Sequence, residues 1–325
     1  MHRIALVGAG RIGQIHARNV AAHSSLDLAM VVDPSTKAAQ DIADRWGARA
    51  SSIEEAMNAP DIDGLIIASA THTHLDYMLQ GAEAGKTIFC EKPVDQDLQR
   101  ARAAEAKLAD ARIFIGFNRR FDPHFLSLKN ALDAKRTGNL ETLQIISNDP
   151  APPPVEYIAV SGGLFKDMAI HDFDMARWMM QEDPEEVFAM GSCLVDPAIG
   201  EAGDIDTART LLKFPGGRLC VISNSRRSGF GYDQRIEAFG SEGMLQVDNV
   251  RETTLQVWTE DGAQADKFQN FFLDRYAQAY RNELDHFADV LNGAPARVTY
   301  ADGVAALALA EAAAESLRTA QPVKL

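Results

Sequence analysis

Cysteine is scarce and never paired in this sequence. Cys90, Cys193 and Cys220 are the three in 325 residues, and their spacing excludes a CxxC element, a disulfide framework and a four-cysteine metal site. Basic charge is also short, with 32 Lys and Arg against 46 Asp and Glu and a net charge of -14. A binder of phosphate backbones needs a basic patch or stripe, so no nucleic-acid partner is expected. Long apolar runs are missing as well. The stretch 304–310 is far too short to span a bilayer, and glycines interrupt the start MHRIALVGAG before it can form the core of a signal peptide. The expectation is therefore no membrane partner and a cytoplasmic location. What remains is an ordinary globular composition, 46% hydrophobic and 24% charged. The length suits about two domains and a core that needs no metal or disulfide staple.

Apolar runs at 4–7, 28–32, 62–68, 87–90 and 113–116 read as buried parallel strands. Helical patterns at 11–22, 36–46, 75–84 and 98–108 separate them. This repeated order predicts an α/β fold whose residues 1–118 form a Rossmann doubly wound parallel sheet. The rhythm then changes. Strands are expected at 143–147, 187–194, 206–214, 218–225, 235–240 and 253–258, with helices at 125–135, 167–180, 276–291 and 303–317. Residues 119–325 thus read as a larger α+β domain on a mostly antiparallel open sheet, and Gly216-Gly217 marks a turn.

Three constellations carry chemistry. Gly8-Ala9-Gly10-Arg11-Ile12-Gly13 follows a strand, opens a helix, and precedes Asp33 at the end of the next strand. Gly8 would turn the chain, Gly10 would admit a pyrophosphate, and Gly13 would let the helix approach the sheet. Asp33 would accept ribose hydroxyls and repel a 2′-phosphate, favouring NAD over NADP. Second, Glu91-Lys92-Pro93 lies just past a strand, where ligands bind in such sheets. Lys92 there either donates to a substrate oxygen or is an ordinary solvated lysine. Third, Asp167 and His171 stand four apart on a predicted helix, where a carboxylate can orient an imidazole that acts as base. The other reading is an Asp167 helix cap with His171 in the interior. His171, Asp172 and Asp174 are poorly spaced for a metal, and none is expected. Ser69, Thr71 and His74 follow another strand and stand near the expected nucleotide, while His72 reads as polar surface. Phe271, Phe272, Tyr276 and Tyr280 read as core or subunit contact.

Together GAGRIG, Asp33-Pro34, CEKP, GFNRRFDPHF and GG…DMAIHDFD resemble the Gfo/Idh/MocA oxidoreductases over essentially the whole chain. NDPAPPP at 148–154, DPAIGEAGDID at 196–206 and GYDQRIE at 231–237 resemble the inositol branch of that family. The resemblance implies an NAD cofactor contacting Gly8, Gly10, Arg11, Ile12, Gly13, Asp33, Ser69, Thr71, His74, Glu91, Lys92 and Arg119. It implies Lys92, Asp167 and His171 as catalytic residues, with His171 the acid/base. A polyol substrate would meet Lys92, Asn118, Ser147, Asp149, Asp167, His171 and Tyr232. It also implies a homo-oligomer, tetramer rather than dimer, assembled on the open sheet. Phe230, Ser147 and Asp149 depart from some inositol enzymes. The expected reaction is oxidation of a cyclic polyol, myo-inositol to scyllo-inosose. The alternatives are scyllo-inositol, D-chiro-inositol, a pyranose sugar, or a non-catalytic nucleotide-binding regulator.

Overall fold

The computed structural model describes residues 1–325, the side chain of Ala159 excepted. Packing separates the chain into two units, Met1–Asn118 with Ala279–Ala308, and Arg119–Gln278 with Leu309–Leu325.

The first unit alternates β1 (His2–Val7), α1 (Arg11–Ala21), β2 (Leu26–Val32), α2 (Thr36–Trp46), β3 (Arg49–Ser51), α3 (Ile53–Asn58), β4 (Gly64–Ile67), α4 (His74–Glu83), β5 (Thr87–Glu91), α5 (Leu98–Leu108) and β6 (Ile113–Gly116). The six strands lie parallel in the order β3-β2-β1-β4-β5-β6. The order reverses direction between β1 and β4, where doubly wound sheets bind ligands. Continuous apolar strands such as Gly64–Ile67 are buried on both faces, as covered parallel strands must be. Ser35 and Asp97 accept backbone N–H groups at the starts of α2 and α5, each such cap contributing about 1 kcal/mol. The three-residue β3 and the short α3 carry too little periodicity to be read from sequence.

The second unit begins with α6 (Pro123–Asp133), β7 (Leu140–Asn148), α7 (Val155–Ser161) and a π-helical turn at Phe165–Ala169 that runs into α8 (Ile170–Met180). There follow β8 (Glu186–Ser192), α9 (Pro197–Glu201), β9 (Thr207–Lys213), β10 (Leu219–Ser225), β11 (Asp233–Gly240) and β12 (Gly243–Val247). The expected 253–258 strand is instead β13 (Gln256–Thr259), paired only with β14 (Gly262–Ala265) in a separate exposed ribbon. The chain ends with α10 (Phe272–Arg275), α11 (Ala277–Leu291), α12 (Tyr300–Thr319) and β15 (Val323–Lys324). The main sheet runs β12-β11-β7-β10-β9-β8-β15, with the β7/β10 pair parallel and the other pairs antiparallel. Alternation along β9 and β10 buries one face and exposes Leu211, Leu219 and Val221 on the other. The Ser316 hydroxyl accepts the Ala189 N–H, tying α12 to β8.

The packing corrects the division into 1–118 and 119–325. Residues 279–308 return to the first unit. Phe287 packs edge-on against Phe89, Ile115 donates its N–H to the Val298 carbonyl, and the Tyr300 hydroxyl donates to the Ala101 carbonyl. Gly64 and Gly303 explain the fit, because a Cβ on them would stand 3.0 Å from Leu291 and 2.3 Å from Val94. An amphipathic helix announces a buried face but not which sheet receives it.

Candidate active-site residues in the two units

In the first unit the glycine loop has a separate reason at each glycine. Gly8 adopts φ +108, and a Cβ there would sit 2.4 Å from the Ala68 carbonyl oxygen. A Cβ on Gly13 would collide with the Gly8 carbonyl oxygen at 2.0 Å, so α1 can lie against the turn only without one. Gly10 is different: nothing stands within 4 Å of its Cβ position, leaving open space at the start of α1. No side chain caps that helix and no acidic residue sits in its first turn, where a phosphate is favoured by the backbone N–H groups and the helix dipole. Asp33, at the end of β2, accepts the Ala9 N–H and the Ser35 N–H at 2.8 Å each. A carboxylate has about four acceptor positions, so it can hold the loop and still receive ribose hydroxyls. Arg11 and Ile12 open α1 beside this space. Asn118, the last residue of the unit, is buried with its Oδ1 unpartnered, a cost that a ligand donor would remove. An uncapped helix start, the cradle over Gly10 and the lone pairs of Asp33 all fit a dinucleotide.

Two expected cofactor side chains turn elsewhere. His74 is 2% exposed; its Nδ1 faces the Pro93 carbonyl at 2.8 Å and its Nε2 the Ser69 carbonyl at 3.1 Å. Burial lowers its pKa against the pull of those two carbonyls. The ring therefore braces Ser69 against Pro93 and offers no nitrogen to a ligand. The Glu91 side chain also turns inward, bonding His16 Nε2 at 2.7 Å. Ser69 shares a hydroxyl contact with Thr73 at 2.7 Å, Thr71 opens the turn before α4, and Lys92 is half-buried just past β5.

The second unit holds a buried polar cluster around the start of α8. Arg119 donates to Asp172 at 2.5 Å and to Ser147 Oγ at 3.2 Å. Asn224 donates to the other Asp172 oxygen at 2.8 Å. Gln234 donates to Ser147 Oγ at 3.0 Å, and the Tyr276 hydroxyl donates to Gln234 at 3.1 Å. Tyr232 is buried edge-on to Tyr276 with ring centroids 5.9 Å apart, and burial pushes its hydroxyl well above its ordinary pKa. Ser147 is fully enclosed and spent on this network, so it supports the floor of the cluster and does not face a ligand. Arg119 is likewise bound to Asp172 and Ser147 through its two terminal nitrogens.

Above this floor, Arg226 points to Asp167 at 3.4 Å and to Asp204 at 3.5 Å, and the Tyr157 hydroxyl donates to Asp167 at 3.2 Å. Asp167 belongs to the π turn and His171 to the first turn of α8, so both stand where the helix changes pitch. Such π segments recur at functional sites. Gly163, at φ +80, lets the chain enter this turn, since a Cβ would stand 2.8 Å from Asp204 Oδ1. Asp149 follows β7, and its pKa is pushed up to about 7 by burial and the nearby Asp167 and Asp172, against the pull of Arg226 and Arg119. A carboxyl poised near neutrality among charged partners is the kind of environment in which functional carboxyls are found. Phe230 is exposed, edge-on to Phe268, and outside this cluster.

Arg226, Asn224 and Gln234 were not legible as site residues. One signal was present: adjacent Arg119 and Arg120 between phenylalanines in GFNRRF, and Asp172 and Asp174 in IHDFDM. The structure pairs them, Arg119 with Asp172 and Arg120 with Asp174 at 2.6 and 2.8 Å.

A glycine-loop nucleotide site in one unit and an acid–imidazole segment over a buried polar floor in the other define an oxidoreductase. Residues 2–117 match the oxidoreductase family's NAD-binding Rossmann fold, and residues 125–246 match the GFO/IDH/MocA C-terminal domain. The Inositol 2-dehydrogenase of Rhizobium meliloti is 44% identical, with 99% of each chain covered. The Myo-inositol 2-dehydrogenase of Thermotoga maritima is 45% identical over 99% of this chain and 98% of its own. Among solved structures, a myo-inositol dehydrogenase from Corynebacterium glutamicum superposes with TM-score 0.96 at 44% identity, covering 100% of this chain and 99% of that one. A scyllo-inositol dehydrogenase from Lactobacillus casei, with bound NAD(H) and scyllo-inositol, superposes with TM-score 0.93 at 27% identity, covering 100% and 99%. This chain belongs to the Gfo/Idh/MocA oxidoreductase family.

Proposed function

We propose that this protein oxidises a cyclic polyol, myo-inositol to scyllo-inosose, with NAD+ as oxidant. The observation that carries the reading is the end-to-end match at 44% identity to an Inositol 2-dehydrogenase, in a chain that carries Lys92, Asp167 and His171 in the motifs described above. Gly8 to Gly13 and Asp33 would hold the dinucleotide, which when bound supplies the hydride acceptor. His171 takes the proton of the hydroxyl whose carbon loses hydride, and Asp167 steadies the imidazole as it gains charge. Lys92 supports the oxygen as it becomes a carbonyl. General base help of this kind contributes about 10²–10⁴-fold, and a cation at a developing alkoxide adds a separate electrostatic contribution. Asp149 and Tyr232 are assigned to the polyol, while Ser147 and Arg119 hold the floor behind them.

The test is NADH formation followed by absorbance with myo-inositol, scyllo-inositol, D-chiro-inositol, glucose and xylose. Myo-inositol is expected to respond. Silence with every inositol and a strong response to a sugar would overturn the assignment. NADH binding without turnover on any of them would make the protein a nucleotide-binding regulator.

The open sheet face supports a homo-oligomer, with a tetramer expected. Val221 stands opposite Leu211, which stands opposite Phe188, and Met190, Leu219 and Phe239 extend the apolar face. Such a patch marks an association surface, and light scattering on the purified protein reads the mass directly. Three free cysteines, two of them buried, suit the reducing cytoplasm proposed as its location.

A further inference from the structure

One titratable cluster takes no part in the chemistry above. His16 on α1, Glu91 at the end of β5 and Glu283 on α11 bring one ligand-type atom each within 4.8 Å of one another, all three side chains buried. His16 Nε2 bonds Glu91 Oε1 at 2.7 Å, while neither oxygen of the fully enclosed Glu283 has a hydrogen-bond partner. The His16 ring is itself packed edge-on to Phe89 and Tyr280, with centroids 4.9 and 6.0 Å away. Water is thus replaced by aromatic surface.

Two ionised carboxylates at this separation without solvent are not sustainable, so a proton or a cation must be present. The geometry decides between them. Ligand atoms held about 2.1 Å from one tetrahedral ion stand about 3.4 Å apart. The 2.7 Å contact between His16 and Glu91 is a hydrogen bond, already complete without an ion. Glu283 carries no cationic partner of its own. As a neutral acid it gains an O–H donor, and Glu91 retains free acceptor positions.

We propose that Glu283 is a protonated carboxylic acid that donates to Glu91 and, with His16, positions the Glu91-Lys92-Pro93 turn. Burial and the neighbouring Glu91 carboxyl both push Glu283 far above its ordinary pKa, in agreement. Glu283 is then a positioning residue, acting through the residue that precedes Lys92. This second half rests on the role given to Lys92 above; the protonation state does not.

The experiment uses the full-length protein. Infrared difference spectra between wild type and Glu283→Gln at neutral pH are expected to contain the carbonyl stretch of a neutral carboxylic acid, lost in the variant. Absence of such a band from the difference spectrum overturns the protonated acid whatever the enzyme's substrate proves to be. Stoichiometric zinc or manganese in the purified protein also overturns it. Kinetics then test positioning: Glu283→Leu, which cannot donate, is expected to lower kcat at least tenfold with little change in the KM for NAD+. Glu283→Gln, which still donates through its amide, restores kcat to within about twofold of wild type. Equal kcat in the Leu variant and the wild type overturns the positioning role.

Discussion

Asp149 gives the sharpest test of the second-unit cluster, because its protonation links stability to pH with a definite sign. An unfolded aspartate titrates near 3.9; in the fold burial, with Asp167 and Asp172 nearby, pushes Asp149 up to about 7. Between those values the folded chain holds a proton that the unfolded chain has released. The stability this proton contributes is fully present below about pH 4 and is lost as pH rises towards 7. A rise from 3.8 to about 7 corresponds to about 4 kcal/mol at 1.36 kcal/mol per unit. Asp149 is only partly buried, so solvent screening reduces this to about 1–3 kcal/mol. Asp149→Asn fixes the side chain in a neutral state of nearly the same shape and abolishes the proton linkage. The assay is urea unfolding of wild type and variant at pH 5, 6, 7 and 8, with free energies from linear extrapolation. The variant's stability relative to wild type should rise by about 1–3 kcal/mol from pH 5 to pH 8. A constant difference would refute the raised pKa, and a wild type that gains on the variant as pH rises would refute its direction.

The other predictions concern separable parts of the two units. Gly10→Ala should keep the wild-type melting temperature and lose at least tenfold in NAD+ affinity by calorimetry, because its Cβ enters open space and not protein. Gly13→Ala should lose both, since its Cβ overlaps the Gly8 carbonyl oxygen. With Asp33 intact, kcat/KM for NAD+ should exceed that for NADP+ by about tenfold or more, a difference of about 1.4 kcal/mol from like-charge repulsion; an NADP+ preference would refute its role. Asp172→Asn leaves the Arg119 guanidinium buried beside Tyr276 without its counter-ion, and urea unfolding should report a loss of about 3–5 kcal/mol. His171→Ala should lower kcat by about 10²–10⁴-fold while calorimetric NAD+ affinity stays near wild type; unchanged turnover would remove His171 from the reaction.

The parallel sheet was legible, β3 apart, because its strands carry short apolar runs such as 4–7 and Gly64–Ile67 that alternate with helical patterns. The glycine loop was legible because Gly8, Gly10 and Gly13 must each answer a different steric demand, and their spacing records all three. Other features failed for physical reasons that differ. The return of 279–308 to the first unit depends on Gly64 and Gly303 being small enough to receive Leu291, Phe287 and Val94, information spread over some 240 positions. The π turn at Phe165–Ala169 changes pitch without any residue that forbids an α-helix. Arg226 is 1% exposed, and a buried arginine looks like any surface arginine until the acids around it are known. Glu91 and His74 fail most instructively. Both lie in segments whose motifs place them next to a ligand, and both side chains are drawn inward by groups remote in sequence, His16 for one and the Pro93 carbonyl for the other. A motif fixes where a backbone runs relative to the ends of a sheet; the direction of each side chain is set by burial and by the partners that can satisfy it. Ser147 obeys the same rule, since Arg119 and Gln234 claim its hydroxyl before a substrate can.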